Sequence, residues 1–207
     1  MIVALLITVW AGLLVTPQAS AAELLRSGVE HLRRGQIDAA NADFDELLKV
    51  DPESRPYLWQ RGISLYLAGD YQRSQQQFES HRTVNPHDVE NATWHFLCVA
   101  ARQDVATARA SMLPAPGDGR VPMEQLYALY KGTGDRQAVE TAVEEVREGT
   151  AERRSARFYA DLYLGLLAHA EGKPEEAKQF LSSAARTEDK NVMADVARVC
   201  FKRLVEK

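Results

Sequence analysis

The stretch RGISLYLAGDYQRSQQQFESHRTVNP, Arg61 to Pro86, decides the fold, because its punctuation has already occurred once. Thirty-four residues earlier the chain reads SGVEHLRRGQIDAANADFDELLKVDP, Ser27 to Pro52. Gly28 aligns with Gly62, Gly35 with Gly69, Phe44 with Phe78 and Pro52 with Pro86. Four matches at one offset define a repeat. Inside the first copy, Leu24, Leu25, Gly28, Val29 and Leu32 fall at helical spacing. Gly35 then closes that helix, since glycine takes the left-handed conformation of a C-terminal cap. Asp38 sits where a carboxylate suits the exposed amides opening a second helix. Ala40, Phe44 and Leu47 share one face of that helix. Small residues at Gly28 and Ala40 predict two antiparallel helices in close approach, and Pro52 ends the unit.

Outward from there, the second unit (Arg55 to Asp88) repeats the pattern with Leu58, Gly62, Leu65, Gly69, Tyr71, Ser74, Phe78 and Pro86. A third, Val89 to Pro114, keeps its helix length and Ala108 but carries Phe96 where the contact glycine stood, with Gln103-Asp104 at its turn. APGDGRVP (Ala115 to Pro122) reads as a loop, and the segment after it as two helices broken at Gly132 and Gly134. The pattern returns from Phe158 to Asp189 with Gly165, Gly172, Ala177, Leu181 and Ala184. A last helix gathers Val192, Val196, Val199, Cys200 and Leu204 on one side and Asp195, Arg198, Lys202 and Glu206 on the other. One apolar and one charged face suit a cap on the terminal unit. The expected fold is therefore all-α: a helix–turn–helix solenoid with a degenerate middle and a C-terminal capping helix. Its expected divisions are 1–21, 22–114, 115–157 and 158–207.

Residues 1–21 read as an export signal. The apolar run Ile2 to Val15 is shorter than the ~20 residues of a spanning helix. Pro17 and the small residues Ala19 and Ala21 follow it, predicting cleavage after Ala21. No Lys or Arg precedes the run, so an uncleaved anchor is the alternative, and only that alternative ties the chain to a membrane. The expected location is extracytoplasmic, periplasmic or secreted. Hydrophobic residues at 45% and charged ones at 26% describe a globular chain. A net charge of −4 with interspersed signs lacks the basic footprint of nucleic-acid binding. Cys98 and Cys200 sit in apolar helical contexts and read as two buried thiols, although an exported chain could also pair them.

A 34-residue helix–turn–helix period resembles the tetratricopeptide repeat family over Ala21 to Pro114 and again over Phe158 to Asp189. The order RGISLYLAGDY, NPHDVENATWHFLCVAA, a divergent middle, then FYADLYLGLLAHAEGKPEEAKQFLSSA is similar to the NlpI-like bacterial envelope members of that family. That resemblance implies an adaptor that docks cell-envelope enzymes, peptidoglycan hydrolases and a protease, commonly as a homodimer. Those relatives are lipidated at an N-terminal cysteine, and this sequence has none there.

No reactive spacing accompanies the repeat. The five histidines, His31, His81, His87, His95 and His169, are scattered, with no HExxH, no zinc-spaced cysteine pair, no G-x-S-x-G and no P-loop. PGDG and GTGD follow no strand and read as turns. Glu140, Glu144, Glu145 and Glu148 read as a solvated helix face. No catalysis, metal or cofactor is expected. The expected function is a non-enzymatic protein–protein adaptor or scaffold; the alternative is a self-associating subunit whose groove its own dimer mate fills. In stacked helix pairs the first helices line the concave side. Its outward places are Leu25, Val29 and Leu32, then Trp59, Ile63 and Tyr66, then Thr93 and Leu97. This apolar set predicts an apolar helix or extended segment as the partner, because the positions that clamp a chaperone C-terminus in the family here carry Leu25, Val29, Trp59 and Ile63.

Overall fold

Phe44 and Phe78 lie against the very glycines with which the repeat pairs them. In the computed structural model, which describes residues 19–204, a Cβ placed on Gly28 would stand 2.8 Å from the Phe44 ring, and one on Gly62 would stand 2.6 Å from the Phe78 ring. Gly165 repeats the arrangement against Leu181, at 2.7 Å. Each glycine is small so that a bulky residue sixteen positions on can fill the space between two helices. The second small residue of each pair is equally enclosed: Ala40, Ser74 and Ala108 have no exposed surface and Ala177 almost none. Serine is tolerated there because its hydroxyl donates to the Gly62 carbonyl at 2.8 Å.

Eleven α-helices and one 3₁₀ turn form the described residues, which contain no strand. They are α1 (Ala21–Arg33), α2 (Ile37–Val50), the 3₁₀ turn (Pro52–Tyr57), α3 (Trp59–Ala68), α4 (Tyr71–His81), α5 (Val89–Arg102), α6 (Val105–Ala110), α7 (Met123–Lys131), α8 (Arg136–Glu145), α9 (Ala151–Ala170), α10 (Pro174–Ala185) and α11 (Val192–Leu204). Consecutive helices pack as pairs from α1 with α2 to α9 with α10. The first members of the pairs also pack side by side, α1 on α3, α3 on α5, α5 on α7 and α7 on α9. The expected glycine caps are present, with Gly35 at φ +71° and Gly69 at φ +85°.

The divergent middle follows a different size rule. Where the contact glycine becomes Phe96 and, one period on, Tyr130, the residues sixteen further are Met112 and Val146 instead of phenylalanine. The bulk has moved from the second helix to the first. Phe96 and Tyr130 then meet edge to face with centroids 5.0 Å apart, joining α5 to α7. Tyr130 in turn donates its hydroxyl to the Tyr163 carbonyl at 2.7 Å, joining α7 to α9.

α5 is the centre of the molecule. Its residues from Ala92 to Val99 are buried on every side, as expected of a helix surrounded by others. That enclosure includes His95, which leans toward Glu79 with Nε2 3.4 Å from Oε1. Burial lowers the His95 pKa from its ordinary 6.5 more than Glu79 raises it. Below pH 6.5 the unfolded chain therefore binds a proton that the native chain resists, and stability falls as pH drops below 6.5. Denaturant titrations at pH 7.5 and 5.5 should show this loss, and His95→Gln, which keeps a donor for Glu79, should flatten it. An unchanged slope in the variant would remove His95 as the cause.

Two expectations about the C-terminal region require correction. The predicted boundary at 157/158 lies inside α9, which begins seven residues earlier, where Thr150 caps the Arg153 amide at 3.1 Å. The Glu- and Arg-rich first turns of α9 carry helix propensity but no apolar period, so periodicity alone starts the helix too late. Second, α11 is not simply a lid on the last pair. It packs on α10 but also returns to α1. Asp195, on the expected charged face, accepts from Arg33 Nε at 2.6 Å, and Arg203 donates to the Leu67 carbonyl. Both faces of α11 are used, and the first and last described helices meet. Glu206, and residues 1–18 of the expected export signal, lie outside the described residues. Cys98 and Cys200 are free and buried, each thiol pushed up to about 12 by burial.

Candidate functional site

The contact of α11 with α1 changes what the predicted groove residues do. Of the eight, Leu32, Ile63, Tyr66, Thr93 and Leu97 are buried in the core, Val29 and Trp59 are half-buried, and only Leu25 is exposed. The expectation of an open apolar groove along all eight is thus corrected. Tyr66, for example, packs against Tyr71 and edge-on to Trp94, with ring centroids 5.3 and 5.4 Å away. The reason is topological: α11 lies across α1 while α7 and α9 flank α5. Positions that would be concave surface in an open stack become core when the stack closes on itself.

What stays accessible is a cleft of about 310 Å³ between α3, α5, α9 and α11. Trp59 and Ile63 line it from α3, Trp94 from α5, Tyr159 from α9 and Met193 from α11, with Phe78 behind them. Two of the predicted residues, Trp59 and Ile63, therefore reach the site, and Trp94, Tyr159 and Met193 join them. Trp94 was visible in the sequence as the tryptophan of NPHDVENATW; Tyr159 and Met193 carried no signal, because only tertiary packing brings α9 and α11 to α3.

Trp59 is placed by the prolines before it. Pro52 and Pro56 bracket the 3₁₀ turn, whose carbonyls are held from α4: Gln77 Nε2 donates to the Arg55 carbonyl at 2.6 Å, and the His81 ring contacts the Pro56 carbonyl at 2.7 Å. Arg61, almost fully buried, donates to Gln77 and to Asp45, fixing the first turn of α3. Trp94 is wedged between Tyr66 and Phe78, the latter stacked at 6.3 Å.

One rim of the cleft is acidic. Asp88 caps α5, accepting from the Glu90 amide at 3.1 Å. The loop predicted from Ala115 to Pro122 folds back on that end, with Asp118 accepting from the Val89 amide. Arg120 then bridges Asp88 at 2.9 Å, Asp118 at 2.7 Å and Glu90, and lies 5.8 Å over the Tyr159 ring. Hydrogen bonding to Asp118 raises the Arg120 pKa, so it stays charged. Burial pushes the Glu90 carboxyl up against the pull of Arg120 and of the Tyr163 hydroxyl, which donates to it at 2.6 Å. The glycines of PGDG thus sit beside carboxylates, a poor setting for phosphate.

Elsewhere, Glu140 of the acidic run pairs with Arg157, and no group of metal-ligating side chains is found among the described residues. No protein-family model matches this chain, and no curated protein matches it.

Proposed function

We propose that the chain is a tetratricopeptide-type solenoid, closed by its C-terminal helix, that acts as a non-enzymatic adaptor in an extracytoplasmic compartment. The observation that carries the reading is the cleft itself, where Trp59, Trp94 and Tyr159 from three different helix pairs converge. Aromatic side chains in such a setting anchor partners, because they bury large area with few rotamers to freeze. The sequence likeness to envelope adaptors points to cell-envelope proteins as partners. Crosslinking capture from the envelope, comparing the native chain with Trp59→Ala and Tyr159→Ala, tests it. Both residues are half-buried and pack on the margin of the core. Capture should fall at least tenfold in both variants; unchanged capture would sink the assignment.

A second reading, self-association, has its own observation. Val50 and Val84 stand one repeat apart and are both exposed, at 40% and 39%, and Tyr57 from the intervening turn is 65% exposed. Repeat equivalence puts the two valines at the same end of their helix pairs. Light scattering on native chain and Tyr57→Ser separates the readings: a dimer in the first and a monomer in the second would favour self-association.

The export proposal is testable at α1. Ser20 and Glu23 form a reciprocal capping box, with the Glu23 amide donating to Ser20 Oγ and the Ser20 amide to Glu23 Oε2. Cleavage after Ala21 removes that cap. Ser20→Ala should then lower Tm by roughly 2–4 °C in uncleaved protein and not at all in the cleaved form. An intact N-terminus on envelope-derived protein would rule cleavage out.

A further inference from the structure

We infer that the cleft receives the cationic side chain of an extended partner segment, a lysine or arginine followed by an apolar residue. This rests on the adaptor reading and names the partner's chemistry. Two carboxylates that line the cleft, Asp88 and Glu90, share the guanidinium of Arg120 with Asp118, which lies just outside it. The rim is therefore short of positive charge. Asp88 Oδ2 is the least satisfied of them: it faces His81 Nε2 at 3.9 Å and Asn85 Nδ2 at 3.3 Å.

The neighbouring polar group asks for the same partner. Asn91, 4% exposed and bordering the cleft, spends its amide nitrogen on the Phe78 carbonyl at 3.1 Å. Its Oδ1 has no hydrogen-bond partner. An acceptor without a donor, beside carboxylates in excess, suits an ammonium or guanidinium. The indole N–H of Trp94, also bordering the cleft, likewise has no partner and suits a main-chain carbonyl. The face of Trp59 fits the methylene stem and adds cation–π attraction, while the Tyr159 ring, already under Arg120, lines the cleft. Acidic or phosphorylated segments meet like charge.

Tryptophan fluorescence titration of the full chain with blocked hexapeptides tests this. The probes are an alanine peptide with a central Arg-Leu pair, its Glu-Leu counterpart, its citrulline isostere, and free arginine amide. The arginine peptide should bind at least tenfold more tightly than the other three, and weaken with added salt. Asp88→Asn keeps an α5 cap, since asparagine caps as well as aspartate, and should weaken the arginine peptide about tenfold. Equal binding of the Glu or citrulline peptide, no effect of Asp88→Asn, or no binding at all overturns the inference. Arginine amide binding as tightly as the peptide also overturns it, in favour of a small-molecule site. If the arginine peptide fails while envelope capture still depends on Trp59, only the charge assignment falls; if both fail, the adaptor reading falls with it.

Discussion

Phe78→Ala should lower the unfolding free energy by about 3–5 kcal/mol, the usual cost of emptying a buried aromatic site. Phe78 is 1% exposed, fills the space over Gly62 and stacks on Trp94. Urea titration by far-UV circular dichroism reads the loss as a reduced midpoint at constant slope. The mechanism has its own test in a double-mutant cycle. Gly62→Ala alone places a methyl 2.6 Å from the ring, and overpacking of that kind costs about 1–3 kcal/mol. In the Phe78→Ala background the methyl enters vacated space, and alanine's better helix propensity should make the same change neutral or favourable by up to about 1 kcal/mol. Additive effects would mean that glycine and phenylalanine do not compete for one volume.

Val196→Asp is the second large effect. Val196 has no exposed surface and belongs to the apolar side of α11. A carboxylate there without a partner should cost about 3 kcal/mol or more. The informative readout is where the damage spreads. Because α11 packs on both α10 and α1, amide hydrogen exchange should accelerate in α1 and α3 as well as in α10. Acceleration confined to α10 would return α11 to the role of a terminal lid.

Most of the helices were legible because glycine, proline and apolar period mark them independently of distant packing. Gly35, Gly69 and Gly132 end helices at positive φ wherever their neighbours lie. Gly28 and Gly62 announced a close contact, and the ring sixteen residues on is the atom set that needs it. The start of α9 was illegible to periodicity, because its first turn is largely exposed and only the Thr150 cap marks it. The site was half legible. Trp59 and Ile63 belong to it, whereas Leu32, Tyr66, Thr93 and Leu97 are core. A periodic pattern tells which residues share a helix face, not whether a later helix will cover that face.

By itself the sequence determined the all-α class, the pairing of neighbouring helices and the positions where those pairs touch, since these depend on residues within one period of each other. Tertiary structure decided the closure of α11 onto α1 and, with it, which concave residues are core and which form the cleft. Arg33 of α1 and Asp195 of α11 meet at 2.6 Å. No local spacing encodes that contact, because the placement of every helix between α1 and α11 sets whether those two meet.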